Sequence, residues 1–373
     1  MKKISSLLLL GGCCAASFAT ATPPLPSSGS YAAGASVAQG SPSSSASMRA
    51  VPGAPAGGAA DISNGENPVS ASAPAMPKLD SSSYSQAQLA KLKEIEKISQ
   101  LALGGDPDAQ NKMGDFYAEG NLVAPDMRMA TYWWYESARR RNPEALCRMG
   151  ELFYSGTVVK RNMFNAVEYW KLSAIAGNPQ AQYFLGSCYA SGGQGVYQDH
   201  AQAVYWFQKS ASQDNIRAMH SLAYFYARGS GVKRNLKLAA ELWRRAAEKG
   251  FLPAQTQLGL CYFSGEGVER DLPLSAKIWT AAAEKGDPDA QRYLGFSYYY
   301  GKGVPVDKNT ALVLFQAAAQ QGDADAKKAY EDLVLEIGIR KADSPEPLVK
   351  PYVPPRKEAV PEVFRVKHVD EMR

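Results

Sequence analysis

Residues 106–138, DPDAQNKMGDFYAEGNLVAPDMRMATYWWYESA, contain a pattern that occurs six times along the chain and begins a seventh time. Its shared positions include a glycine (Gly114), an aromatic residue (Tyr117), a turn glycine (Gly120) and a second aromatic residue (Trp134). The positions return every 36 residues, with one step of 37 across the third copy. A period of this length is typical of arrays of helical units, so it takes precedence over any shorter motif.

The apolar spacing within one copy is helical. Ala109, Met113 and Tyr117 are four residues apart and therefore share one face of a first helix. Ala130 and Trp134 repeat this spacing in a second helix. Asp or Asn followed by Pro precedes the first helix in four copies, and Asp or Asn precedes the second helix in all six, as N-cap residues do. Each copy is therefore predicted to form one pair of helices.

The small residues of the pattern predict close packing. Glycine at the Gly114 position and alanines beside the tryptophan position are expected to let two helix backbones approach each other. The large aromatic side chain is then expected to fill the space against the next pair. One pair cannot bury its apolar face alone, so neighbouring pairs should stack into a solenoid with a continuous core.

This pattern resembles the Sel1-like repeat family, a branch of the tetratricopeptide-like helical repeats. The fifth copy carries it most fully, in Ala254, Leu258-Gly259, Tyr262, Gly265-Glu266-Gly267-Val268, Asp271 and Trp279. The resemblance covers about residues 105–333 and implies an all-α, right-handed α-α superhelix that scaffolds protein–protein interactions. Copies one and two have Leu122 and Val158 where later copies have a second loop glycine, which leaves the geometry of those two turns open.

The composition divides the chain into an ordered array and two flanks. Residues 85–104 are predicted to form an N-terminal capping helix, residues 105–322 six repeats, and residues 323–341 a C-terminal capping helix. Residues 22–84 are rich in Ser, Ala, Pro and Gly, and residues 342–373 are rich in proline. Both flanks are predicted to be disordered because they cannot bury enough apolar surface.

The N-terminal end indicates export. Two lysines, an apolar stretch and Ala19-Thr20-Ala21 are typical of a cleaved secretory signal over residues 1–21. The alternative is a lipoprotein signal over residues 1–12, because Leu10-Gly11-Gly12-Cys13 resembles a bacterial lipobox. That signal would leave Cys13 lipidated, and the lipid would be the chain's only membrane attachment. Both alternatives predict secretion across the inner membrane, to the periplasm or to a lipid-anchored place at the outer membrane.

The sequence offers little for catalysis or metal binding. Its three histidines fit no zinc-binding spacing, and no G-x-S-x-G motif is present. Ser230-Gly231-Val232-Lys233 matches the S-x-x-K of penicillin-recognising enzymes but lacks the partner motifs, so we interpret it as a chance match. The formal charge of +5 is too small to indicate nucleic-acid binding. We therefore predict a protein without catalytic residues, cofactor or metal, which is not an enzyme.

Three cysteines lie within the repeats. Cys188 and Cys261 occupy one equivalent position two copies apart, and Cys147 lies elsewhere in its copy. All three are expected to be small buried thiols. A disulfide between Cys147 and Cys188 is the remote alternative.

A partner is expected on the concave surface, which the first helices of such arrays line. Two first-helix positions that the packing pattern does not use are charged in early copies and aromatic or apolar in late ones. The position before the turn glycine adds Tyr300. The predicted site for a protein or peptide therefore consists of Tyr224, Leu260, Tyr293, Phe296 and Tyr300. The alternative is that these side chains are half-buried packing between adjacent first helices.

The leading hypothesis is thus an exported scaffold or adaptor that binds a protein in the bacterial cell envelope. One alternative is a β-lactam- or peptidoglycan-binding envelope protein or hydrolase. Another is an assembly factor of a secretion or motility system.

Overall fold

The computed structural model describes residues 86–120, 124–193 and 196–338. This part of the chain contains fourteen α-helices and no β-strand. The all-α prediction is confirmed. The predictions for the signal sequence, Cys13, the linker over residues 22–84 and the proline-rich segment over residues 342–373 lie outside the described residues.

The helices alternate between the two classes expected from the repeat. Helix α1 spans Gln86–Leu103 and precedes the first pair. The first helices of the copies are α2 (Pro107–Glu119), α4 (Pro143–Ser155), α6 (Pro179–Ser191), α8 (Ile216–Arg228), α10 (Leu252–Ser264), α12 (Pro288–Tyr300) and α14 (Ala324–Glu336). The second helices are α3 (Met127–Arg139), α5 (Met163–Ile175), α7 (His200–Ala211), α9 (Leu236–Glu248), α11 (Leu272–Ala283) and α13 (Lys308–Gln320).

Side-chain caps begin these helices as the sequence predicts. The Asp106 carboxylate accepts a hydrogen bond from the Ala109 backbone N–H at 2.7 Å, and Asp126 does the same for the backbone N–H groups of Arg128 and Met129. Helix α10 is the exception among the repeat helices described, because its N-cap is Phe251, which makes no side-chain cap hydrogen bond. Five first helices end at a glycine in the left-handed conformation, at Gly120, Gly156, Gly229, Gly265 and Gly301.

The glycine within the first helix, such as Gly114, makes room for an aromatic ring. A Cβ added at Gly114 would lie 2.3 Å from Cδ1 of Trp134, and one added at Gly259 would lie 2.3 Å from Nε1 of Trp279. The atoms nearest to this glycine thus belong to the ring of its own pair, which fills the space that the glycine leaves. The ring also reaches the next pair, as the 4.8 Å contact between the ring centroids of Trp170 and Phe184 shows.

The second loop glycine connects successive pairs. A Cβ on Gly267 would lie 2.2 Å from the carbonyl oxygen of Leu236, the first residue of α9 in the preceding pair. Gly267 also has a φ of +81°, a conformation that suits glycine. In copy two, Val158 stands at this position without a positive φ, so that turn has a different geometry. Residues 121–123, which contain the copy-one turn, lie outside the described residues.

The described residues form two compact units, which divide between Tyr197 and Gln198. In the N-terminal unit, α1 to α6, each helix packs on the next, around a core that includes Met113, Trp134 and Met149. In the C-terminal unit, α7 to α14 pack in the same sequential manner around the rings of Trp279 and Phe315. Each unit is thus a stack of helix pairs, as expected for a solenoid.

The three repeat cysteines are buried and in the thiol form, as predicted. Within the described residues, Cys147 and Cys188 form no disulfide. Burial raises the pKa of the Cys188 thiol to about 12 and also raises that of Cys147. Both thiols are therefore protonated at neutral pH and unreactive.

Candidate partner-binding site

The predicted site residues all lie on first helices of the C-terminal unit. We call Tyr224, Leu260, Tyr293, Phe296 and Tyr300 the aromatic face. Each of the five is partly buried. The structure brings Phe296 and Tyr300 together as stacked rings, with centroids 6.3 Å apart. Leu260 and Tyr293 both pack on the core cluster that contains Trp279.

The rings of the aromatic face rest on the large aromatic side chains of the repeat. Tyr224 meets Trp243 edge-on at 5.2 Å between centroids, and Phe296 meets Phe315 at 4.8 Å. Tyr293 stacks on Trp279 of the preceding pair at 5.2 Å. The alternative of half-buried packing therefore describes part of their role. Each of these rings also keeps a fraction of its surface exposed.

Tyr293 carries a cation on its ring. The Arg292 guanidinium carbon lies 4.4 Å from the centroid of that ring. Arg292 is held there by ion pairs with Asp289 at 2.6 Å and with Asp323 at 2.7 Å. Charge and ring are thus fixed together at one edge of the aromatic face.

Most of these helix positions are charged in the first two copies, and two of the charges pair with each other. Arg148 pairs with Asp115 at 3.0 Å and lies over the Trp134 ring, while Trp134 donates its indole N–H to Asp115 at 3.1 Å. Burial raises the pKa of Asp115, and the pairing with Arg148 and the indole hydrogen bond oppose that rise only in part. Because these charged groups contact each other, they are less available to an external partner.

Sequence analysis missed the acidic border of the aromatic face. The positions of Phe296 and Tyr300 recur 36 residues later on α14, as Asp332 and Glu336. Glu336 accepts a hydrogen bond from the Tyr299 hydroxyl at 2.6 Å and pairs with Lys308 at 2.7 Å. Following the two positions one further period would have found both carboxylates.

The pKa values of Tyr299 and Tyr300 reflect how close the acidic border lies to these two tyrosines. The hydrogen bond to Glu336 raises the pKa of Tyr299 to about 12. Burial first, and then the charge of Glu336, raises the pKa of Tyr300. The Glu336 carboxyl itself has a lowered pKa, because Lys308 and then Tyr299 donate hydrogen bonds to it. Glu336 is therefore ionised at neutral pH.

No group of three or more His, Cys, Asp or Glu side chains in the described part of the chain could hold a metal ion. None of the described helices is both long and apolar enough to cross a membrane. Ser230 to Lys233, the S-x-x-K match, lies in the loop between α8 and α9, where Gly231 packs against the carbonyl group of His200.

Comparison with known proteins identifies the repeat. The Sel1 repeat pattern matches residues 107–142, 143–178, 179–215, 216–251, 252–287 and 288–323, which is more than half of the chain. The chain belongs to the Sel1 repeat family. Sel1 repeat proteins generally act as protein–protein interaction scaffolds, and the fold is typically non-catalytic.

Two solved structures of Sel1 repeat proteins are similar. One is c5321, a protective antigen of uropathogenic Escherichia coli strains with an SLR fold; it is 34% identical, with a TM-score of 0.59, over 67% of this chain and 53% of that chain. The other is a Sel1 repeat protein from Oxalobacter formigenes, 29% identical with a TM-score of 0.56 over 61% of this chain and 89% of that one. This chain thus spans about half the length of c5321. A search of curated proteins found no match.

Proposed function

We propose that this Sel1 repeat protein is an exported, non-enzymatic scaffold that holds a protein or peptide partner on its aromatic face. One observation carries the proposal: three successive first helices, α8, α10 and α12, place partly exposed apolar or aromatic side chains at positions that are mostly charged in the first two copies. Rings that are already held in place lose little conformational entropy on binding, and interface hot spots are enriched in such side chains.

The cellular address is part of the same proposal. The secretory signal over residues 1–21, or the lipobox ending at Cys13, would deliver the chain to the bacterial cell envelope. Radioactive palmitate should label the full chain and not a Cys13→Ser variant if the lipobox is used. If neither chain is labelled and the mature protein begins after Ala21, the secretory signal is the one used.

Partner capture is tested by site-specific photo-crosslinking in the intact cell. A photoreactive phenylalanine analogue at Leu260 or Tyr300 should yield a discrete protein adduct, identified by mass spectrometry. The matched control is the same analogue at Lys277, an exposed position on the second helix α11. Equal adducts from all three positions, or none from the aromatic face, would contradict the proposed surface.

Introducing a charge on the aromatic face separates binding from folding. Tyr300→Arg should lower capture by tenfold or more, because the aliphatic stem of arginine can cover Phe296 while the guanidinium repels an apolar partner. Lys277→Glu serves as control. The melting temperatures of both variants should stay near that of the parent chain. A large drop in melting temperature for Tyr300→Arg would show that this ring is mainly core.

The enzymatic alternative has a direct assay. The purified chain should not hydrolyse the chromogenic β-lactam nitrocefin. Turnover would overturn the non-enzymatic part of the proposal and favour the β-lactam-binding alternative.

A further inference from the structure

The aromatic face ends against two carboxylates of helix α14. Asp332 and Glu336 occupy the positions that Phe296 and Tyr300 occupy one period earlier. Helix α14 lies next to α12 at this end, because the Tyr299 hydroxyl donates a hydrogen bond to Glu336 at 2.6 Å. The surface therefore changes from aromatic to acidic within one helix spacing.

The two carboxylates differ in their availability. Glu336 is compensated by Lys308 at 2.7 Å. Asp332 is exposed, and within the described residues no ion pair joins it to a basic side chain. The negative charge of Asp332 raises the pKa of Tyr299, although by less than Glu336 does. A ligand on this surface would thus meet rings on one side and an uncompensated negative charge on the other.

Such a surface fits an extended segment that alternates apolar and basic residues. Aromatic and proline side chains stack on tyrosine rings, and arginine both pairs with carboxylates and stacks on aromatic rings. A segment in a polyproline conformation adds rigidity, which reduces the entropy lost on binding.

The chain itself contains a segment with this chemistry. Residues 348–368, LVKPYVPPRKEAVPEVFRVKH, hold Tyr352, Phe364 and four prolines. Five Lys or Arg residues outnumber two Glu residues there, so the segment is basic. Helix α14 has the opposite balance, with four carboxylates, at Asp325, Glu331, Asp332 and Glu336, against two lysines.

Covalent connection favours this segment over a free ligand. The described chain reaches Gly338, two residues after α14, beside the acidic border. The next ten residues can span about 33 Å when extended, which covers several helix spacings of 8–10 Å. A short tether of this kind gives an effective concentration in the millimolar range, so even weak contacts would be occupied.

We propose that residues 348–368 dock on the aromatic face beside Asp332 of the same chain and compete there with the external partner. The inference rests on the proposed function, since it assigns a regulator to the same surface. An external partner must then displace residues 348–368, so only a partner that binds the aromatic face more strongly than they do is captured.

The first experiment locates the segment in the full chain. A photoreactive phenylalanine analogue replaces Phe364, and adducts are mapped by mass spectrometry after irradiation of dilute protein. We expect adducts within one chain, to peptides of α14 and of the helices that carry the aromatic face. Adducts between two chains, adducts scattered over helices other than these, or no adducts would each overturn the proposal.

The second experiment tests the charge that guides docking. Asp332→Lys should lower the intramolecular adduct yield at least fivefold. The matched control is Asp325→Lys, an equally exposed position in the first turn of the same helix, which should leave the yield unchanged. Equal losses in both variants, or none in either, would show that Asp332 does not guide docking and would overturn the proposal.

The third experiment separates this inference from the proposed function. A chain with Arg356→Glu, Lys357→Glu and Arg365→Glu should capture its partner through Leu260 about three- to tenfold more strongly than the parent chain. Unchanged capture would refute competition while leaving the scaffold function intact. If the segment cross-links to the aromatic face but no external partner is ever captured, the docking stands and the proposed function fails.

Discussion

At the level of single residues, the packing of Trp279 depends on the glycine opposite its ring. Trp279 is almost completely buried, and its indole N–H donates to the Thr256 carbonyl at 3.1 Å. The ring can reach that position only because Gly259 leaves the space empty. The repeat therefore requires a small residue and a large one together, and neither can be changed alone.

Gly259→Ala should destabilise the chain by about 1–3 kcal/mol, because the added methyl group would lie 2.3 Å from the Trp279 ring. Urea unfolding followed by circular dichroism measures the change. The double variant Gly259→Ala/Trp279→Phe serves as the internal control. Its loss should be smaller than the sum of the two single losses, since the smaller ring relieves the overlap. Strict additivity would mean that the two positions do not compete for space.

His220 is a buried polar residue without compensation. It lies edge-on between the rings of Tyr224 and Phe251, and its Nδ1 has no hydrogen-bond partner. Equivalent positions in the next two copies form polar contacts with the following N-cap: Thr256 bonds to Asp287, and Arg292 pairs with Asp323. Because Phe251 replaces that carboxylate, burial lowers the pKa of His220 to about 3.

This lowered pKa predicts acid sensitivity. The unfolded chain binds a proton at this histidine near pH 6.5, whereas the folded chain does so only near pH 3, so stability is full above pH 6.5 and falls as the pH drops through that interval. Between pH 6 and pH 4, this histidine should make the free energy of unfolding fall by roughly 1.4 kcal/mol per pH unit, and His220→Phe should remove that fall. Urea titrations at several pH values measure it. An unchanged slope in the variant would place the acid sensitivity elsewhere.

At the level of helices and loops, backbone contacts at two loop glycines add to the side-chain contacts that connect successive pairs. Gly267 lies against the Leu236 carbonyl and Gly303 against that of Leu272, each at the start of a second helix in the preceding pair. The two contacts are equivalent and fix the distance between successive pairs. A side chain at either position would push the loop away from the helix on which it rests.

Gly267→Ala should therefore cost more than an ordinary left-handed glycine replacement. Gly286→Ala is the matched control, because Gly286 has a φ of +89° but nothing within 4 Å of an added Cβ. The control should lose about 1–2 kcal/mol from backbone strain alone. Gly267→Ala should lose clearly more, measured by the same unfolding assay. Equal losses would mean that the loop contact contributes nothing to stability.

The sequence predicted the helices well because their ends are local. Asp, Asn and Gly determine where a helix begins or ends from within a few residues, so Asp126 and Gly120 could be assigned without tertiary information. The partners of Gly114 and Gly267 could not, because a glycine does not show what occupies the space it leaves. The sequence pattern identified which helix positions form the candidate site. It could not show that Tyr224 and Phe296 rest on Trp243 and Phe315, because those contacts join different helices.

At the level of the whole molecule, each unit depends on contacts between neighbouring pairs. Within each unit, the described helices pack on those before and after them in sequence. The stability of such arrays is approximately a sum of terms for each repeat and for each interface between neighbours. The number of copies can therefore change without a new fold.

Deletion of residues 252–287, one complete copy, should leave a folded chain. Trp243 would then meet Tyr293 in the way that Trp279 does, since the positions are equivalent. Helical circular dichroism per residue in the array should be retained, and the urea m-value should fall by roughly one sixth. Loss of helical signal would show that the copies are not interchangeable.

Glu331 sits where copies one to six have Gly114 and its equivalents. It is exposed on α14, and a carboxylate there leaves no room for an incoming ring. A second molecule could extend this stack only by burying that charge without a partner, at a cost of several kcal/mol. Head-to-tail association of this kind has no natural end point and would produce filaments. We therefore expect the Glu331 carboxylate to disfavour growth of this modular stack into a polymer.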